Sequence, residues 1–207
     1  MLVSIDTAMM QGRSLLNRFR RDTRGAAAVE FAFLAPLLLL MLLATIETGR
    51  AVSIDRQFTS ATGMAGDLVA REAYLGDTTS GATANLDSMM LSIQHVMQPY
   101  DTSTLKLGVF SVRASTTNAS DTRVEWSYAF NGMSVPSKCE TYALPANLVG
   151  KGESVIVVNS TMIFKPLFGN YVPGITGNMT WTDKSYHTPR NSCVDYVKGN
   201  NCSSLSC

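Results

Sequence analysis

Arg24-Gly25-Ala26-Ala27-Ala28-Val29-Glu30-Phe31 leads into the apolar run Phe31–Ile46 (FAFLAPLLLLMLLATI), and the reading of this junction decides the fold. As a helix, Ala26 to Ile46 is about 31 Å long at 1.5 Å per residue, which matches the roughly 30 Å hydrocarbon core of a bilayer. Pro36 removes one backbone donor inside the run and predicts a kink, which a membrane helix tolerates better than a soluble one. An ionised carboxylate at Glu30 is costly there, roughly 3 kcal/mol on insertion scales, so its presence points to a partner or a recognition role.

The flanks orient the span. Arg13, Arg18, Arg20, Arg21 and Arg24 precede it against only Asp6 and Asp22. The positive-inside rule therefore places residues 1–25 in the cytoplasm and everything after Arg50 across the membrane. The net charge of +1 averages this asymmetry away. Five arginines beside a span read as topology signals and lipid contacts rather than as a nucleic-acid surface. A secretory signal is the competing reading. The apolar stretch is long for one, Ala44-Thr45-Ile46-Glu47-Thr48-Gly49 offers no small-x-small cleavage site, and Arg20-Arg21 lacks the rest of a twin-arginine motif.

Helical patterning continues beyond the bilayer. No proline interrupts Glu47 to Tyr74, and Val52, Phe58, Ala61, Ala65, Leu68, Val69 and Tyr74 recur near helical spacing. This first helix is expected to stop near Gly76, with a bend at Gly63 and Gly66. Leu86, Met89, Met90, Ile93 and Met97 form the apolar stripe of a second helix, ended by Pro99. The methionines read as core rather than as a soft metal site.

The period then changes to two. Leu105, Leu107 and Val109, with Val112 after a bulge, predict a first strand. Val124, Trp126, Tyr128 and Phe130, closed by Asn131-Gly132, predict a second. Val155–Phe164 and Ile175–His187 complete four strands, whose short connections favour an antiparallel meander packed against the helices. The expected class is α+β: a long N-terminal transmembrane helix continuing into a domain with a second helix on a four-stranded antiparallel sheet. The divisions are a basic leader at 1–25, a span at 26–48 and a domain at 49–207.

Cys139, Cys193, Cys202 and Cys207 all fall on the exported side, which implies disulfides in an oxidising compartment. No Cys-x-x-Cys pair supports metal binding. Three pairings are open; the Lys198-Gly199-Asn200-Asn201 turn favours Cys193 with Cys202, which leaves Cys139 for Cys207.

Gly25, four small or apolar residues, then Glu30-Phe31 resembles the Gly-x-x-x-x-Glu-Phe/Tyr junction of type IV prepilins and pseudopilins. Leu144-Pro145-Ala146-Asn147-Leu148, Glu153 to Val158, Phe164-Lys165-Pro166-Leu167-Phe168 and Tyr186-His187-Thr188-Pro189-Arg190 extend the resemblance, over Arg24 to Arg190, to the TadE-like family of the tight-adherence (Flp) pilus machinery. The resemblance implies a minor pseudopilin cut between Gly25 and Ala26 by a membrane prepilin peptidase. Glu30 and Phe31 would then serve assembly. The partners it implies are the peptidase, other pseudopilins, the Flp pilin, the inner-membrane assembly platform and the lipid bilayer, with no nucleic acid. The protein would be a single-pass inner-membrane component with a periplasmic domain.

No catalytic, cofactor-binding or metal residue is assigned. Neither His95 nor His187 has a neighbouring nucleophile or carboxylate motif, and no Gly-x-Ser-x-Gly or phosphate-binding glycine loop occurs. Asp101-Thr102-Ser103-Thr104 reads as a turn rather than a metal motif. The expectation is a non-enzymatic assembly factor. The alternative is a single-span envelope enzyme or ligand-binding protein whose site assembles only in space.

Overall fold

The computed structural model describes residues 25–169, 171 and 177–199. The basic leader before Gly25, Ile175, and Cys202 and Cys207 lie outside the described residues, and with them the orientation and cysteine-pairing expectations.

Helix α1, Ala26–Ala70, runs unbroken for 45 residues through Pro36, Gly63 and Gly66. Its first half is apolar apart from Glu30, Thr45 and Glu47, and its most hydrophobic window has none of its residues buried. Its second half is amphipathic. Ile54, Phe58, Ala61, Thr62, Ala65, Gly66, Val69 and Ala70 recur three or four residues apart and are buried, so they form the stripe that faces the core. α1 stops at Ala70 rather than near Gly76, capped by Arg71. Helix α2, Thr79–Val96, starts at Thr78, whose hydroxyl accepts from the Gly81 amide at 3.1 Å. Ala82, Leu86, Met90, Ile93 and Met97 are buried along the expected stripe.

Strands β1 (Lys106–Ala114), β2 (Thr122–Phe130), β3 (Ser154–Phe164) and β4 (Met179–His187) form one antiparallel sheet. Their order is β2-β1-β3-β4, not the meander that short connections favoured. The physical reason lies in the second face of the sheet. Helices α1 and α2 cover one side, over Leu107, Val109, Trp126, Tyr128, Phe130, Ile156, Val158, Met162 and Phe164. Phe110, Val112, Val124, Val155 and Val157 face the other way and also need cover. The β2–β3 connection supplies it as it returns past β1: Tyr142, Leu144 and Val149 pack on this second cluster, with Tyr142 edge-on to Phe110 at 5.0 Å. β1 is consequently buried along nearly its whole length.

The bulge expected before Val112 is present, but the extra residue belongs to β2. Ser111 pairs with Trp126 and Val112 with Val124, which leaves Glu125 unopposed. Freed from the ladder, Glu125 accepts from the Ser111 hydroxyl at 2.7 Å and from the Arg113 guanidinium at 3.3 Å.

The chain beyond β4 is irregular but tightly held. The Leu75 amide donates to Asp195 O at 2.9 Å, the Asp195 amide to Ala73 O at 3.1 Å, and the Trp126 indole to Val194 O at 2.8 Å. The Arg190 amide donates to Ala70 O at 2.8 Å, so the segment also closes over the end of α1. Cys193 is buried within it.

α1 approaches the sheet closely because its facing residues are small. The Thr62 and Ser160 hydroxyls meet at 2.6 Å inside the core, and the Ser185 hydroxyl donates to Thr62 O at 3.2 Å. At Gly66 a Cβ would stand 2.1 Å from His187 Cδ2, so the histidine ring fills the space a side chain would need. Gly66→Ala should therefore destabilise by about 1–3 kcal/mol despite the better helix propensity of alanine. Adding His187→Ala should restore most of that loss in a denaturation double-mutant cycle. Desolvation holds the His187 pKa below the ordinary histidine range, with Asp67 opposing weakly. On acidification the unfolded chain binds its proton first, so stability should fall as pH drops below about 6.5. His187→Ala should flatten that slope.

Candidate functional site

The site is assembled along α1, in two places. At its start, Gly25 has helical backbone angles, φ −81° and ψ −13°, and a Cβ there would meet nothing within 4 Å. Ala26 begins the helix directly. Gly25, Ala26, Glu30 and Phe31 are all exposed. Among the described residues Glu30 has no hydrogen-bond or ion-pair partner, although the helix around it presents Val29, Phe31, Phe33, Leu34 and Leu37 outward. Such a surface is stable only in an apolar medium or against a partner. Near its far end Thr45 and Thr48 return their hydroxyls to Met41 O and Ala44 O, each at 2.8 Å, so they add no unsatisfied donor.

The second place is Glu47, the residue after Ile46, where the apolar run ends. It is fully buried. Its carboxylate accepts from the Leu167 amide at 3.2 Å to each oxygen and from the Phe168 amide at 3.3 Å. The Arg50 guanidinium donates to it at 3.1 Å from the next turn of the helix. A buried carboxylate is tolerable only with such full pairing. The Lys165-Pro166-Leu167-Phe168 stretch that follows β3 is thereby fastened to α1 where the apolar run ends. Sequence reasoning passed over Glu47. The available signal was an acidic residue directly after the apolar run with an arginine three positions on, a pattern that reads first as a solvated helix surface.

The remaining candidates are dispersed. Cys139 and Cys193 are not free thiols, and both are disulfide-bonded. The Ser103 amide donates to Asp101 Oδ1 at 2.9 Å, which makes the Asp101–Thr104 stretch the turn it was read as. That bond holds the Asp101 carboxyl below its ordinary pKa. His95 lies beside the Gln98 side chain at 3.4 Å, whereas Nε2 of His187 is buried with no partner among the described residues. Among the described residues no three His, Cys, Asp or Glu side chains converge as a metal site would require.

This geometry defines a class: among the described residues, one helix long and apolar enough to cross a membrane, continuous with an α+β domain packed on its second half. The family comparison then narrows it. Residues 25–67 match the model of the TadE-like protein family, the family this stretch of chain is similar to, and that match associates the chain with the Tad pilus system. The match begins at the Gly25 junction and takes in Glu30, the span, Glu47 and most of the core-facing stripe. The strand motifs from Leu144 to Arg190 lie outside the matched residues. No curated protein and no solved structure matches the chain.

Breaking the Glu47 clamp should be costly, because two backbone amides and a guanidinium lose their acceptor together. Glu47→Ala should lower the stability of the detergent-solubilised chain by about 3 kcal/mol, read by urea unfolding followed through tryptophan fluorescence. Glu47→Gln keeps an amide oxygen for Leu167 and Phe168 and should lose about half as much.

Proposed function

We propose that the protein is a non-enzymatic minor pseudopilin of a tight-adherence (Flp) pilus, anchored in the bacterial inner membrane with its α+β domain in the periplasm. The observation that carries this reading is Glu30: an unpartnered carboxylate on an otherwise apolar, exposed helix, in a segment that matches the TadE-like model from Gly25 onward. A prepilin peptidase would cut after Gly25, whose exposure and lack of side-chain contact suit entry of an extended backbone into a protease cleft. Cutting creates an α-ammonium at Ala26. Four helical rises separate it from Glu30 by about 6 Å along the axis, a spacing at which the two can also meet within one helix. The ammonium of a neighbouring subunit, shifted along the membrane normal, can reach Glu30 too. In a low dielectric the pair offsets two charges that are each costly alone.

The partners are then the peptidase, other pseudopilins, the Flp pilin and the inner-membrane assembly platform. The domain would prime, cap or regulate pilus assembly and so serve surface attachment. Disulfides among Cys139, Cys193, Cys202 and Cys207 would staple the irregular C-terminal segment to the sheet in the oxidising periplasm.

Intact mass of the chain extracted from piliated cells should show residues 1–25 removed, and Gly25→Leu should leave the precursor uncut. A wild-type chain that still begins at Met1 contradicts the reading. Glu30→Gln should be cut normally yet lose co-purification with its partner pseudopilins and thin or abolish the pili. Normal piliation in that variant would show that Glu30 is no assembly contact. Alkylation of the native, unreduced protein should label none of the four cysteines.

A further inference from the structure

We propose that the segment fastened by Glu47 is a second membrane contact, in which Leu167 and Tyr171 dip into the headgroup–acyl boundary of the leaflet that α1 leaves. The inference rests on α1 crossing the bilayer and not on the pilus role.

Height is fixed by the clamp. Glu47 directly follows Ile46, the last residue of an apolar helix stretch that is about as long as a bilayer core is thick. The Leu167 and Phe168 amides lie within hydrogen-bond distance of the Glu47 carboxylate, so their backbone sits at the level where hydrocarbon ends. The Leu167 side chain turns away from the protein. It is 65 % exposed, against 64 % for Phe31 in the span itself. Tyr171, 72 % exposed, is set beside it by a turn in which its amide donates to Phe168 O at 2.8 Å. In water an exposed leucine and tyrosine at this position gain nothing. At a bilayer boundary leucine enters the acyl region, and tyrosine keeps its ring among the headgroups with its hydroxyl wet.

The charges fit the same plane. Arg50 and Lys165 line one cleft beside the clamp, together with Asp101, Tyr100 and Ile54. Arg50 is paired with Glu47 and Lys165 faces Asp101, so the cleft is balanced in charge, and the alkyl stems of both cations can lie along the apolar boundary with their heads among the lipid headgroups. A second contact would fix the rotation of the domain about α1, which a single helix leaves free. It would thereby present one constant face to neighbouring subunits.

The test uses the full chain in phosphatidylcholine–phosphatidylglycerol vesicles whose acyl chains carry bromine either near the glycerol or near the methyl end. Tryptophan is introduced as Leu167→Trp, Tyr171→Trp, Phe33→Trp or Leu91→Trp, and the emission of the wild type is subtracted. Leu167→Trp and Tyr171→Trp should each lose about half of their added emission to the shallow bromines and less to the deep ones, as interfacial residues do. Phe33→Trp should be quenched by the deep bromines. Leu91→Trp, on α2 beyond the Val96 carbonyl that accepts from Gln57, should be quenched by neither. Quenching of Phe33→Trp with none of Leu167→Trp or Tyr171→Trp would overturn the proposal and leave the loop for a protein partner. An unquenched Phe33→Trp would show that α1 does not span, and the proposal would fall with that reading.

Discussion

The carboxylate of Glu47 stands where α1 changes surroundings. Below it, α1 exposes a surface of phenylalanine, leucine and methionine with no residue of its most apolar window buried. Above it, the same helix buries Ile54, Phe58 and a run of small residues against the sheet. A helix that changes environment without a break needs a point where backbone, charge and loop are all satisfied at the boundary. Glu47 supplies it by taking two loop amides and one guanidinium at once. Without that acceptor, the loop after β3 would lose its tie to the end of the apolar run.

The rest of the fold follows from how closely α1 can approach. Ala61, Thr62, Ala65 and Gly66 allow the helix to lie directly on β3 and β4, near enough for a hydroxyl pair and for a histidine ring over Gly66. Close contact on one face leaves the opposite face of the sheet bare. The β2–β3 connection covers it, and that need sets the strand order. The C-terminal segment closes the end of the domain distant from the apolar run by pairing with Ala73 to Gly76. Each layer is therefore held by contacts from chain segments far apart in sequence.

What the sequence made legible was periodic. The apolar run, the Leu86–Met97 stripe and the alternation in Val124–Phe130 each reflect a single element meeting a single face, and all three elements formed where expected. What stayed hidden depended on pairing across the chain. The order of strands turned on which side chains would cover Phe110 and Val157, a question local alternation does not address. Gly66 read as a weak point in a helix because the ring that fills its place comes from His187 on β4. Glu47 drew no reading because its acceptor role is completed by backbone amides of Leu167 and Phe168, which carry no signature in residue identity. The Gly25 and Glu30 junction was legible for the opposite reason: its meaning is contained in consecutive residues, which the family match covers from Gly25 onward.

The central claim is that α1 passes from lipid to protein core as one helix. Residue-resolved hydrogen exchange of the chain in lipid nanodiscs tests it most directly. The account predicts unbroken amide protection from Phe31 to Val69, including Glu47 to Arg50 at the boundary. A window of rapidly exchanging amides between Ile46 and Ala51 would contradict it, because it would make the span and the domain separate elements joined by a flexible hinge.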